Sequence, residues 1–380
     1  HIAEVGKLAR TGVGVCFPLI MLISAFAALV SMGAAPRASI FLGKGEHDKA
    51  EKTLGNSFSL LIILSITITI IFFFFAKDLL LLFGASENTI DFAVKYMKIY
   101  SLGTIFVQLT LGLNAFISAQ GFAKVSMMTV LIGAISNILL DPIFIFWFDL
   151  GVSGAALATI VSQALSMIWI LIFLTGKKTT LKIRRKNMVL SKEIVLPSIA
   201  LGLAPFIMQA TESLIAVCFN SSLLKYGGDI AVGAMTILTS IMQFSLLPLM
   251  GLTQGGQPII SYNYGANKAE RVKKAFKILL ISCLSYSMVL WIFVMITPQT
   301  FVVIFNNDPE LVKFTSHALK IYMAVSGVFG IQIACQQSFI ALGNAKTSLF
   351  LALLRKIILL IPLIYIMPLF ISNKTTAVFM

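Results

Sequence analysis

The chain has 380 residues, of which 58% are hydrophobic and only 12% charged, and its formal net charge is +14. Soluble domains are about 45–50% apolar and about 25% charged, so this composition excludes an ordinary soluble protein and indicates a membrane protein. The chain has four widely spaced cysteines without a CxxC motif and only three histidines. This argues against a disulfide framework and against a histidine-based metal site.

Ten apolar segments follow one another along the chain, and each is long enough to cross about 30 Å of hydrocarbon as a helix. The segments are continuously apolar rather than alternating, so the sequence predicts helices and not a β-barrel. The predicted spans are 12–34, 54–76, 95–119, 125–148, 153–175, 195–222, 231–253, 275–297, 318–341 and 347–371.

The distribution of basic residues between the loops predicts the orientation of these spans. Of the 29 Lys and Arg residues, 18 fall in loops on one side and nine on the other, while Arg355 and Lys356 lie within a span. Cytoplasmic loops carry an excess of Lys and Arg, so the first set is predicted to be cytoplasmic. The net charge is thereby explained by topology, and we expect no nucleic-acid partner.

The sequence partly repeats itself at an offset of 222 residues. The tripeptide Lys98-Ile99-Tyr100 recurs as Lys320-Ile321-Tyr322, and Gly43 corresponds to Gly265. With about six spans per unit, this offset predicts a parallel repeat whose halves are related by an axis along the membrane normal.

We therefore predict an all-α integral membrane protein of two six-helix bundles with pseudo-twofold symmetry. Residues 1–176 would form the amino-terminal bundle (helices 2–6), 177–194 a basic cytoplasmic linker, and 195–380 the carboxy-terminal bundle (helices 7–11 and the start of 12). The repeat also leads us to expect that the first helix and most of the twelfth are absent from this fragment.

Two carboxylates lie well inside predicted spans, Asp141 and Glu212. An ionisable group at the centre of a spanning helix is energetically expensive and by default a functional candidate. Such a carboxylate can bind and release a proton, although an interior acid that only orders the bundle is the structural alternative. We predict a cation-coupling role for both.

Three oxygen-bearing residues can share the depth of the Asp141 carboxylate or approach it. Asn137 is one helical turn before Asp141 and shares its face, and Thr159 is placed at a similar depth by the predicted helix ends. Oxygen ligands of this kind suit a proton or a hard cation such as Na⁺, so we predict a Na⁺ or H⁺ site of Asp141, Asn137 and Thr159. Asn114 fits less well, because it lies near the cytoplasmic end of its helix.

Candidate substrate contacts are Gln209, Gln336 and Arg355. Arg355 would face a central cavity or snorkel to the interface. The glutamines inside spans, which include Gln332 and Gln337, are alternatively hydrogen-bond partners between helices. No HExxH, GxSxG or GxxxxGK[ST] motif is present, so we predict no enzyme, no cofactor and transport driven by an ion gradient.

Several motifs resemble those of one transporter family. Residues 137–146 (NILLDPIFIF), followed by 151–159 (GVSGAALAT), resemble the fifth-to-sixth helix signature of the multidrug and toxic compound extrusion (MATE) family. The loop at 36–45 is similar to the family's loop after helix two. The loop at 257–266 is the counterpart of that loop in the second half of the chain. The bacterial multidrug exporters of the family are the most similar subgroup.

The resemblance implies a multi-pass protein of the bacterial cell membrane that exports organic, often cationic, molecules by H⁺- or Na⁺-coupled antiport. It also implies that Asn114, Asn137, Asp141 and Thr159 match an amino-half cation site, and that Glu212 matches a coupling acid on helix seven. The helix-ten acid of some members has no counterpart here. We expect small organic substrates, membrane lipid as surroundings and a monomer.

The alternatives are a flippase for lipid-linked saccharides, which needs a strongly basic cavity, and a membrane-embedded enzyme, which needs a catalytic pair at membrane depth.

Overall fold

The computed structural model describes residues 2–379, with side chains described from residue 11 onwards except that of Asp229. The described chain is almost entirely helical and divides into two compact units, an amino-terminal unit (His1–Ala210) and a carboxy-terminal unit (Thr211–Met380). The division falls inside a helix, and the bundle boundary predicted at 177–194 stays a prediction.

The amino-terminal unit contains seven helices and the beginning of an eighth, all counted among the described residues. These are α1 (Ile2–Gly43), α2 (His47–Phe74), α3 (Ala76–Leu82), α4 (Ile90–Leu102), α5 (Thr104–Ala119), α6 (Ala123–Pro142), α7 (Gly151–Thr175) and the first part of α8 (Lys192–Gly265). A π-helical segment, Ile143–Trp147, continues α6. Helix α8 breaks at Gly228, whose φ of 66° is readily adopted only by glycine, into spans Lys192–Gly228 and Ile230–Gly265.

The carboxy-terminal unit contains the rest of α8 and seven further helices in its described part. These are α9 (Ala269–Ile296), α10 (Pro298–Val303), α11 (Pro309–Tyr322), α12 (Phe329–Ala341), α13 (Ala345–Leu353), α14 (Ile361–Phe370) and α15 (Lys374–Phe379). A second π-helical segment, Leu354–Leu360, joins α13 to α14.

The ten predicted spans correspond to helices of the structure. Among the described residues, eight helices are long and apolar enough to cross a membrane, and two bent helix pairs bring the number to ten. The pairs are α4 with α5, bent by 56°, and Pro309–Tyr322 with Ser326–Ala341, bent by 49°. Large apolar side chains such as Trp147 and Phe370 lie more than four-fifths exposed, as expected of surfaces that face lipid.

The internal repeat is visible in local structure. Helices α2 and α9 have the same length and lie 222 residues apart, and one bent pair occurs in each half. The hydroxyl of Ser39 donates to the Ala119 carbonyl over 2.6 Å, and the corresponding Ser261 donates to the Ala341 carbonyl over 2.8 Å. These paired contacts at one offset indicate two copies of the same packing plan.

The basic segment after α7 is held on the amino-terminal unit by buried polar groups. Glu51, at the start of α2, pairs with Arg184 Nε over 3.2 Å, and Asn56 accepts from the Ser191 amide over 2.6 Å. The side-chain oxygen of Gln120 accepts from the backbone amides of Thr180 and Leu181, each over 2.8 Å. The segment is therefore a docked part of this unit.

Candidate functional site

In the amino-terminal unit, a carboxylate lies where α6 changes its winding. Asp141 precedes Pro142, and the π-helical segment begins at the next residue. Proline removes an i→i−4 hydrogen bond, and π-helical turns are frequent at functional sites. Asn137 Nδ2 donates to Asp141 Oδ1 over 3.4 Å, and both side chains are partly exposed. No ion pair is formed by Asp141 within the described chain.

Thr159 and Tyr96 are further candidates for the group around Asp141. Thr159 lies on α7 and Tyr96 on α4, two helices that pack against each other. Thr159 itself donates to the Ala155 carbonyl, one turn earlier on α7, over 3.0 Å. Asn137 and Asp141 are thus in contact on α6, and the grouping of Thr159 with them in one cation site stays a prediction.

Tyr96 was missed by the sequence reasoning. It is 6% exposed on α4 and stacks on Tyr100, with ring centroids 5.9 Å apart. The nearest signal in the sequence is the repeated Lys-Ile-Tyr motif, since its Tyr100 is the residue that stacks on Tyr96. A tyrosine ring offers the hydroxyl that a cation site needs while its body packs in the apolar core.

Asn114 is not brought to the group around Asp141. Its Nδ2 donates to the Ser126 carbonyl over 3.4 Å. Ser126 precedes Asn137 by 11 residues, or about 16 Å along α6. Asn114 therefore lies near the opposite end of α6 from Asp141, as its predicted place near the cytoplasmic end of its helix implied, and its part in the cation site stays a prediction.

In the carboxy-terminal unit, Glu212 on α8 forms an ion pair with Lys356 in the second π-helical segment. The Lys356 side chain is 6% exposed whereas that of Glu212 is 59% exposed. The buried partner is thus the ammonium group, and Glu212 compensates its charge. Both residues lie inside predicted spans, but their pairing could not be predicted, since 144 residues separate them.

Arg355 lies next to this pair with partners of its own. Its Nη1 donates to Gln332 Oε1 over 2.6 Å, and its guanidinium lies 4.6 Å from the centroid of the Phe329 ring. Tyr322 lies within electrostatic range of both Arg355 and Glu212. The two cations and the carboxylate therefore form one cluster with one positive charge in excess.

The two predicted glutamine contacts differ in their surroundings. Gln336 is 2% exposed, and its Nε2 donates to the carbonyl and the hydroxyl of Ser348, over 3.0 and 2.8 Å. It binds α12 to α13, so the predicted substrate contact is wrong for this conformation and the alternative of an interhelical bond holds. Gln209 lies partly buried on α8, three residues before Glu212, and its role as a substrate contact stays a prediction.

A family model described as MatE matches residues 1–143 and 205–366. The chain belongs to the MatE family. Multidrug export protein MepA of Staphylococcus haemolyticus (strain JCSC1435) is similar to it, at 28% identity over 357 residues that cover 94% of this chain and 78% of the relative. DinF-BH, a MATE multidrug transporter solved in complex with R6G, is 31% identical with a TM-score of 0.89. That alignment covers 99% of this chain and 84% of DinF-BH.

The fold of this MatE chain is shared with a MATE transporter solved in a bent conformation. The TM-score is 0.93 at 23% identity, over 99% of this chain and 84% of that one. The resemblance seen in the motifs and the all-α membrane fold are confirmed. The chain is accordingly a multi-pass cell-membrane transporter of the MatE family and not an enzyme.

Proposed function

We propose that this MatE protein exports drugs and other organic small molecules from the cell, and that the export is antiport driven by H⁺ or Na⁺ binding at Asp141. The observation that carries this proposal is a carboxylate at membrane depth with no counter-ion of its own in the described chain. Asn137 donates to it, and Thr159 on α7 and Tyr96 on α4 offer further neutral oxygen groups on neighbouring helices. Such a set accepts either a proton or Na⁺, since both are hard cations that prefer oxygen.

Glu212 is less suited to bind the coupling ion, because Lys356 already supplies a positive charge to it. A carboxylate with a tethered ammonium partner gains less from an external cation than one without a partner. We therefore place coupling in the amino-terminal unit and give Glu212 the role of balancing the buried lysine.

Coupling requires that the ion and the substrate each bind two conformations of the protein with different affinity. Ion binding at Asp141 would change the charge and packing where α4, α6 and α7 meet. The substrate would be released outward as the ion enters, and loss of the ion to the cytoplasm would restore affinity for the next molecule.

The flippase alternative expects a strongly basic cavity. Arg355 and Lys356, the two basic residues within a span, favour this alternative, but Glu212 neutralises Lys356. A single excess charge fits a substrate with one ionised group better than it fits a lipid-linked saccharide with its diphosphate. Transport of a lipid-linked saccharide by the reconstituted protein would favour the flippase.

The test is efflux of a fluorescent dye from vesicles that contain the reconstituted protein, under an imposed pH gradient or an imposed Na⁺ gradient. We expect one of the two gradients to accelerate efflux at least about tenfold, because the ion and the substrate bind the two conformations with different affinity. Asp141→Asn should abolish this acceleration, while Glu270→Gln, which removes an exposed carboxylate from the same chain, should leave it unchanged. Efflux that responds to neither gradient would overturn the coupling proposal.

A further inference from the structure

Arg355 occupies a position in the membrane where a lone charge requires an explanation. It lies ten residues after the start of the span Ala345–Phe370, about 15 Å deep and so close to the middle of about 30 Å of hydrocarbon. Arginine at that depth is costly unless it pairs or faces a polar space. The π-helical segment Leu354–Leu360 holds it beside a second cation, Lys356.

The partners of Arg355 orient its guanidinium without neutralising it. Gln332 Oε1 is a neutral acceptor, and the Phe329 ring offers its face at 4.6 Å from the guanidinium carbon. The one carboxylate in the cluster, Glu212, pairs with Lys356. In the described part of the chain Arg355 makes no salt bridge, and its side chain is partly exposed where that of Lys356 is buried.

The geometry of a guanidinium decides which ligand such an arrangement suits. Arginine presents a planar fork of N–H donors that matches a carboxylate with two parallel hydrogen bonds. Gln332 uses one donor and Phe329 supports the plane, so part of the fork stays available in a fixed orientation. Fixing a side chain beforehand reduces the entropy lost when a ligand binds.

We propose that Arg355 binds an anionic group, most simply a carboxylate, on the exported molecule. This inference rests on the proposed export function and refines its substrate class. The transported molecules would include acidic and zwitterionic compounds, and the carboxylate would supply the charge that the cluster lacks. Gln332 and Phe329 are then positioning residues for this contact.

The experiment compares two dyes that differ in one group: rhodamine 19, which carries a free carboxylic acid, and rhodamine 6G, its ethyl ester. Both are loaded into vesicles with the reconstituted protein, and efflux is followed by fluorescence. We expect the wild type to export both dyes. Arg355→Gln should lower rhodamine 19 export about tenfold or more while rhodamine 6G export stays within about twofold.

Two further variants distinguish recognition from loss of folding or loss of charge. Lys346→Gln removes a positive charge from the exposed start of α13 and should change neither rate. Arg355→Lys keeps the charge but loses the fork, so its rhodamine 19 export should be intermediate.

The other outcomes separate the two proposals. If the wild type exports rhodamine 6G but not rhodamine 19, or if Arg355→Gln lowers both rates equally, the inference is wrong and export stands. An equal loss of export of both dyes is also the result expected if a chloride ion or a lipid phosphate, and not the substrate, neutralises Arg355. If the wild type exports neither dye, the proposed function fails and the inference fails with it.

Discussion

The ion pair between Glu212 and Lys356 is unequal in burial, and this inequality has energetic consequences. The Lys356 side chain is 6% exposed and the Glu212 side chain is 59% exposed. Removing one partner of an ion pair harms stability mainly through the charge that is left behind. A buried ammonium without a partner is therefore worse than a largely exposed carboxylate without one.

We predict that Glu212→Gln destabilises the protein more than Lys356→Met does. The first change leaves a buried charge and should cost about 3 kcal/mol, whereas the second should cost about 1 kcal/mol. The measurement is thermal unfolding of each variant in detergent.

The double variant Glu212→Gln with Lys356→Met is the control for this prediction, because it removes both charges. It should unfold at a higher temperature than Glu212→Gln alone. If the two single variants lose equal stability, the burial difference does not determine the energy of the pair.

Individual site residues differ in how far the sequence predicts them. Asp141, Asn137 and Thr159 could be grouped because helix geometry fixes depth along a span and the face shared by residues four apart. The partner of Glu212 could not be found in this way, since it depends on which faces of two distant helices meet. Gln336 illustrates the same limit: an amide inside a span has two possible roles until its neighbours are known.

At the scale of helices, the apolar segments locate the spans but not their ends or their shape. Helix α1 continues to Gly43 and α9 begins at Ala269, beyond the apolar runs predicted at 12–34 and 275–297. The added first turns of α9 are polar, so hydropathy does not register them, whereas the added turns of α1 are interrupted by Pro36 and Arg37, which ended the predicted run. At the bend, Gly103 leaves room for the Ile160 side chain, which a Cβ there would meet.

Close packing of two helices depends on glycine where α1 crosses the first part of α8. A Cβ on Gly33 would lie 2.7 Å from the Gly202 amide nitrogen and 2.9 Å from the Ser198 carbonyl carbon. Small residues permit such contacts between backbones, and helix association in membranes depends on van der Waals packing of this kind.

We predict that Gly33→Ala destabilises the protein by about 2 kcal/mol, because the new methyl group meets backbone atoms that cannot rotate away. Gly14→Ala on the same helix is the matched control, since a Cβ there has no neighbour within 4 Å. Gly14→Ala should be neutral or slightly stabilising, because alanine favours the helix. Thermal unfolding of both variants checks the prediction, and equal unfolding temperatures would contradict it.

For the molecule as a whole, the two bent helix pairs decide how the chain is threaded through the membrane. Each pair either crosses the membrane or enters and returns on one side. In the amino-terminal unit, the pair α4–α5 follows α7 along its length. Tyr96 lies beside Thr159, Thr110 donates to the Gln163 carbonyl over 3.0 Å, and Gln120 binds Thr179 beyond the end of α7.

The contacts therefore run from Thr159 to the end of α7 at Thr175 and beyond it, and this stretch of about 16 helical residues covers about 24 Å, most of the hydrocarbon layer of about 30 Å. A re-entrant loop would return to the side where it began and would not follow a spanning helix to its far end. The repeat extends this reasoning to the second pair, whose Ser261–Ala341 contact corresponds to Ser39–Ala119. We infer that both bent pairs cross the membrane completely.

This threading predicts that Lys77 and Lys313 face the outside, while Lys124 and Lys346 face the cytoplasm, in agreement with the excess of basic residues on the cytoplasmic side. All four side chains are exposed, so each can be replaced by a cysteine in a variant whose native cysteines are changed to alanine. A membrane-impermeant maleimide applied to intact cells should label the cysteines at 77 and 313, and should label those at 124 and 346 only after permeabilisation. If the cysteines at 77 and 124 react on the same side, the first pair is re-entrant, and the positions 313 and 346 give the same test for the second pair.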